Sequence, residues 1–229
     1  MKTSFGQNQS ICEFQKLIED IYSLPDDRLF SLYDILSNIE RFTMRAIKGI
    51  RKGNQEKIIN NLLISFSWLA ALSNRFHIDL EKAVWSRFPL ICSYCGKSPC
   101  ACKKEKIIKR VKITKRASQK PSSLRDFQEM FNSIYPAKSR TLAIAGIHLA
   151  EETGEVSESV NVFLGEHKAN QFEKITQELA DWVSCMFGVA NSAKIDITKE
   201  LVKMFANNCH VCHQAPCVCK FEFVYKFRS

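Results

Sequence analysis

The sequence predicts an all-α protein made of two helical bundles in tandem, and three observations carry that prediction. Glycine and proline are scarce, 8 and 6 in 229 residues, too few for a loop-rich β-sandwich. Apolar residues recur at helical spacing along most of the chain. A cysteine motif is also written twice, as ICSYCGKSPCACK (Ile91 to Lys103) and NCHVCHQAPCVCK (Asn208 to Lys220), at an offset of 117. Such self-similarity marks a repeated unit. Upstream, Asn74, Ile78, Asp79 and Leu80 match Asn191, Ile195, Asp196 and Ile197 at the same offset. Further back, FQKLIEDIY from Phe14 resembles FQEMFNSIY from Phe127 at an offset of 113. A tandem duplication with small length changes between helices accounts for both offsets. It divides the chain into a first bundle (1–102), a basic linker (103–123) and a second bundle (124–229).

In the first unit the spacing predicts helices over Phe14–Tyr22, Leu29–Ile50 and Lys57–Phe76. In the second it predicts Leu124–Ile134, Thr141–Leu164, Gln171–Ala193 and Thr198–Phe205. Asp196 and Thr198 are candidate N-caps, with Asp79 the counterpart in the first unit. Each cysteine segment, 92–102 and 209–219, reads as a knuckle. It is followed by a short alternating stretch, IIKRVKI (Ile107 to Ile113) and FEFVYKF (Phe221 to Phe227). A two-residue period predicts a strand in each.

Nothing in the chain reaches 18 consecutive apolar residues, so no membrane span is expected. The N-terminus lacks the apolar stretch of a signal peptide. The expected setting is cytoplasmic, where clustered thiols stay reduced and bind metal. The net charge is +9, but Lys103 to Lys120 alone carries nine basic residues against one acidic. The excess is therefore local. Lys109, Arg110, Lys112, Lys115 and Arg116 could contact nucleic-acid phosphates, draw anionic nucleotides toward a site, or form a solvated linker.

The chemistry-bearing stretch is HLAEETGEVSESV (His148 to Val160) followed by QELADW (Gln177 to Trp182). Residues three apart share a helix face, so Glu152 projects with Glu155, and Glu178 with Asp181. Packed antiparallel, the two helices would gather these carboxylates in one pocket. A single acidic pair at helical spacing is ordinarily a solvated face. Here two pairs sit on adjacent helices with 22 residues between Glu155 and Glu178, and Asp181 borders an apolar stripe. Gathered carboxylates repel and need a cation. Hard oxygen ligands suit magnesium or manganese. Glu151 lies beside them as a candidate general base.

These residues resemble the MazG-type all-α nucleoside triphosphate pyrophosphohydrolases, whose motif is E-x-x-E, a spacer, then E-x-x-D on a helical bundle. The similarity is close over residues 126–205 and only outlined over 14–88. It implies magnesium held by Glu152, Glu155, Glu178 and Asp181. It also implies hydrolysis of a nucleoside triphosphate between its α and β phosphates. Asn191 and His148 become candidate substrate contacts. Opposite HLAEETGEV the first unit has ILSNIERFT (Ile35 to Thr43), and opposite QELADW it has no acid, so its site is expected to be dead. Bundles of this family commonly pair, so the tandem resembles a dimer fused in one chain, and further self-association is compatible with it. Two rival functions remain: a zinc protein gripping nucleic acid through the basic linker, and a sensor that binds triphosphates without turnover.

Cys92, Cys95, Cys100 and Cys102 form one tetrad, and Cys209, Cys212, Cys217 and Cys219 the other. Four thiolates on a short turn suit tetrahedral zinc in a closed, structural site. An iron–sulfur cluster fits the same spacing. His210 and His213 flank the second set as alternative ligands. Cys12 and Cys185 are expected to be core thiols.

Overall fold

The computed structural model describes residues 5–113 and 119–226, and every regular element among them is helical. The first half contributes α1 (Ile11–Leu29), α2 (Leu32–Arg51), α3 (Gln55–Arg75), α4 (Leu80–Arg87) and the single turn α5 (Cys102–Glu105). The second contributes α6 (Leu124–Ile134), a 3-10 turn (Ala137–Ser139), α7 (Leu142–Glu166), α8 (Ala169–Ala193), α9 (Ile197–Phe205) and α10 (Phe221–Lys226). The helices start where side chains satisfy the free N–H groups of the first turn. Ser10, Ser31 and Ser123 form capping boxes with Glu13, Asp34 and Asp126. Asp79 and Asp196 cap α4 and α9. Thr198 is not a cap; it lies buried inside α9.

Both expected strands are overturned. Phe221–Lys226 is a helix, and Ile107–Ile113 has no regular structure. A strand needs a partner for its backbone, and no strand exists among the described residues. Instead, Phe221 packs on Phe30 at 5.3 Å and the Arg41 guanidinium donates to Val224 O at 3.1 Å. Phe227 lies outside the described residues, as do Lys115 and Arg116.

The two halves share one core. Phe14 meets Phe205 at 5.8 Å, Phe66 stacks on Trp182 at 6.3 Å, and Phe88 meets Phe131 at 5.2 Å. Each half also repeats the same clasp. The Gln15 amide donates to Asn74 Oδ1 and Ile78 O, both at 2.8 Å, and accepts from Leu80 N at 2.9 Å. The Gln128 amide donates to Asn191 Oδ1 (3.0 Å) and Ile195 O (2.7 Å) and accepts from Ile197 N (3.1 Å). This clasp ties the first helix of each half to the turn after its third.

The cysteine segments cross over. Cys100 N donates to Ile134 O at 2.8 Å, and Cys217 N to Ile21 O at 2.7 Å. Each knuckle is thus fastened to the first helix of the opposite half. Between the halves, Thr153 Oγ1 lies 3.5 Å from Thr43 Oγ1. Thr43 also pairs with Ser65 at 2.8 Å, while the Trp182 indole donates to Thr153 at 3.0 Å.

At the end of α1, Asp26 is 6% exposed. Burial pushes its carboxyl up to about 7, opposed by Arg75 and reinforced by Asp27. Above about pH 4 the native state keeps a proton that the unfolded chain has released. The stabilisation is complete below that pH and is lost as the pH rises toward 7, by up to about 1.4 kcal/mol per unit. Urea unfolding at about pH 5 and pH 7 is expected to show this decline in the wild type and a smaller one in Asp26→Asn. Parallel behaviour of the two proteins would exclude Asp26 as its source.

Candidate functional site

A two-residue connection, His167–Lys168, returns the chain from α7 to α8 and sets them side by side. Thr153 and Trp182 fix their register, because Thr153 accepts from the indole while donating to Leu149 O at 2.7 Å. Glu152 precedes Thr153 and Asp181 precedes Trp182, so this pair of contacts aims both acids at one place. Glu152, Glu178 and Asp181 each offer an oxygen, and the three atoms lie within 4.8 Å of one another. Glu178 is 1% exposed and Asp181 8%.

Such burial disfavours charge. Glu152 is pushed up to about 8, by burial first and then by Asp181, Glu155 and Glu178, with Arg87 opposing. Burial also raises Glu178, against Lys174, and raises Asp181, against Arg87. Glu152 Oε2 and Glu178 Oε2 are buried without a hydrogen-bond partner. Three clustered carboxylates, two of them with an unsatisfied oxygen, could hold a small, hard divalent cation.

Three cations already face these acids. Arg87, the last residue of α4, donates from Nε to Asp181 Oδ1 at 3.0 Å and from a terminal nitrogen to Oδ2 at 2.6 Å. Its other terminal nitrogen reaches Gln177 at 3.2 Å. Arg110 approaches Asp181 at 3.8 Å, and Lys174 pairs with Glu178. The sequence reading missed Arg87 and Lys174. Lys174 stands four residues before Glu178, so helical spacing could have flagged it. No local signal links Arg87 to a partner 94 positions away.

The remaining candidates are placed differently. Glu155 is exposed but close enough to Glu178 to push its carboxyl up. Glu151 and His148 are exposed on α7. Asn191 spends its side-chain amide on Gln128, accepting at its oxygen and donating to Gln128 O at 3.1 Å.

In the first half the structure shifts the expected register. Ser31 and Thr141 cap α2 and α7, and Thr43 meets Thr153, giving an offset of 110. Phe42 and Arg45 therefore stand where the second half has Glu152 and Glu155, rather than Ile39 and Phe42 as the alignment with ILSNIERFT implies. At the offset of 117, Asn61 and Ile64 replace Glu178 and Asp181. Phe42 and Ile64 themselves cannot ligate a dication, and they line a mainly apolar cavity of about 60 Å³ with Phe30 and Trp68, which Asp26, His210 and Cys209 also border.

Each cysteine tetrad also converges. Cys92 and Cys102 sulfurs lie 3.7 Å apart and Cys95 and Cys100 3.9 Å. In the second set, Cys209 and Cys219 lie 3.9 Å apart and Cys212 and Cys217 3.8 Å. A tetrahedron with metal–sulfur bonds of about 2.3 Å has edges of about 3.8 Å, so both tetrads could hold a metal. The hydrogen bond from Cys217 is the first of several contacts that bring the Cys209 thiol down to about 4 despite burial. Burial opposes the same change in Cys95, where N–H groups of Ala101 and Lys97 prevail and bring it to about 7. His210 meets the Tyr22 hydroxyl at 3.1 Å, and neither it nor His213 joins a tetrad. Cys12 is exposed, not a core thiol, because it lies on the outer face of α1. Cys185 is part-buried, and burial, with the Glu152 carboxylate, pushes its thiol up.

Neither a family model, nor a curated protein, nor a solved structure matches this chain. No helix among the described residues is long and apolar enough to cross a membrane.

Metal analysis of the purified chain is expected to give about two equivalents of a thiol-loving metal. Cys209→Ser with Cys217→Ser should leave about one and lower the melting temperature. Retention of both equivalents would show that the second tetrad is not a ligand set.

Proposed function

We propose that this chain is a magnesium-dependent nucleoside triphosphate pyrophosphohydrolase, formed from two MazG-like helical units with the working site in the second. The observation that carries this reading is the convergence of Glu152, Glu178 and Asp181. They come from two motifs spaced as in that family and form a largely buried cluster in which two carboxylate oxygens have no hydrogen-bond partner.

Glu152, Glu178 and Asp181 would hold the ion, with Glu155 completing the set from the rim. A divalent ion bound there supplies charge neutralisation for the phosphates and polarises the attacking water. The reaction adds water to the α phosphorus and breaks its bond to the bridging oxygen, releasing a nucleoside monophosphate and pyrophosphate. Glu151, exposed one position before Glu152, would accept the proton of that water as the general base. Burial of the α8 carboxylates fixes their orientation before substrate arrives.

The two cysteine tetrads fit zinc in a structural role, since a closed set of four thiolates leaves no open position for chemistry. Their crossed attachment to Ile134 and Ile21 supports a pseudo-dimer in which each knuckle staples one unit to the other. Phe42, Asn61 and Ile64, standing where the second half has Glu152, Glu178 and Asp181, support a first unit without catalysis.

A screen of ribo- and deoxyribonucleoside triphosphates is expected to show pyrophosphate release that requires magnesium and stops with chelator. Glu178→Gln should reduce it by about 100-fold or more while preserving the circular dichroism spectrum. Release from no canonical or modified triphosphate, by protein retaining its thiol-bound metal, would end the hydrolase reading.

A further inference from the structure

Arg87 and Arg110 belong to the first half of the chain, yet both reach Asp181 of the second. We propose that the first half serves as an arginine donor. Arg87, with Arg110 behind it, occupies Asp181 while the divalent ion is absent and moves onto the substrate's phosphates when the ion takes the carboxylate. This rests on the metal-dependent reading above and adds to it the residues that bind the triphosphate.

Arg87 engages both oxygens of Asp181, at 3.0 and 2.6 Å, and its side chain is 13% exposed. A dication needs those same oxygens, so the ion and the guanidinium compete for them and repel each other at such distances. The guanidinium gives way as the ion arrives. It cannot go far, because the next residue, Phe88, is wedged against Phe131 at 5.2 Å and Tyr135 at 6.3 Å. What remains is a rotation of the side chain at the mouth of the site. A guanidinium displaced from one planar acceptor is matched to phosphate oxygens, which accept two of its N–H groups at once.

Arg110 is held for the same task. Val111 N donates to Tyr94 O and the Tyr94 hydroxyl donates to Ile108 O, both at 3.0 Å. Its guanidinium lies over the Tyr94 ring at 5.7 Å. Tyr94 sits inside the first cysteine segment, which is itself fastened to α6 through Cys100. The first tetrad thus mounts both arginines at the acids of the other half, one on the chain entering it and one on the chain leaving it.

The repeat supplies an internal control. At the offset of 117, Met204 stands in the place of Arg87 and Ile64 in the place of Asp181. Where the acid is lost the arginine is lost with it, so the two belong to one device. By linkage, metal and triphosphate should bind cooperatively, each removing an obstacle to the other.

The test measures manganese binding to the full-length, thiol-metal-loaded protein by calorimetry. It then measures binding of an α,β-methylene triphosphate, which resists cleavage, in the presence of manganese. Arg87→Ala is expected to bind manganese alone about tenfold more tightly and the analogue about tenfold more weakly. A structural Arg87 would give no such crossing: both affinities would fall together, or neither would move, and either result overturns the proposal. Arg87→Gln, which keeps a hydrogen-bond donor beside Asp181, should show the same opposed changes if the alanine variant fails to fold. Arg110→Ala, at a half-exposed position, should weaken analogue binding and not weaken manganese binding. Opposed changes without any pyrophosphate release would uphold the arginine exchange and sink the hydrolase reading; release with no opposed changes would do the reverse.

Discussion

Carboxylates buried in a helical core need positive charge close by, and the site region is organised around that requirement. Glu178 and Asp181 lie on α8 among Leu179, Ala180 and Trp182, all without solvent contact. Ionising them there is costly unless the charge is paired. Lys174 on the same helix answers Glu178, whereas Asp181 is answered by Arg87 from the other half. Glu152 has no cation of its own, and its carboxyl is driven up to about 8. One buried acid set therefore links α4, α7 and α8, and Glu152 is the acid in it without a paired cation.

Two units that meet through aromatic packing alone could slide past one another. Here the sliding is blocked by polar contacts at fixed points. The Gln15 and Gln128 clasps lock each first helix to its own half. The Cys100 and Cys217 amides lock each knuckle to the opposite half. Thr43 and Thr153 meet between α2 and α7. Buried hydrogen bonds of this kind contribute modestly when made but are expensive to leave unmade, so they specify one arrangement. Arg87 consequently meets Asp181 in a fixed geometry.

At the corresponding positions the first half carries Phe42, Arg45, Asn61 and Ile64, and Phe42 and Ile64 line a mainly apolar cavity with Phe223 and Val224 of α10. The stretch after the other knuckle carries Arg110 to the acid site instead. The two places differ in chemical character, one mainly apolar and the other acidic.

Most helices were legible in the sequence because periodicity and capping are local properties. The caps at Asp79 and Asp196 need only the next few residues. The cysteine tetrads were equally legible, since a turn of eleven residues confines its own ligands. The spacing of Glu152 with Glu155 and of Glu178 with Asp181 gave the acid faces by helix geometry alone. The alternating stretches misled, because alternation specifies a strand only where a partner edge exists, and Phe221 found an aromatic surface instead. The register of α2 against α7, the engagement of Asn191 by Gln128, and the pairing of Arg87 with Asp181 were decided by tertiary structure. Each depends on which helices meet across the shared core, and that is set by the packing of distant side chains rather than by any pattern within one segment.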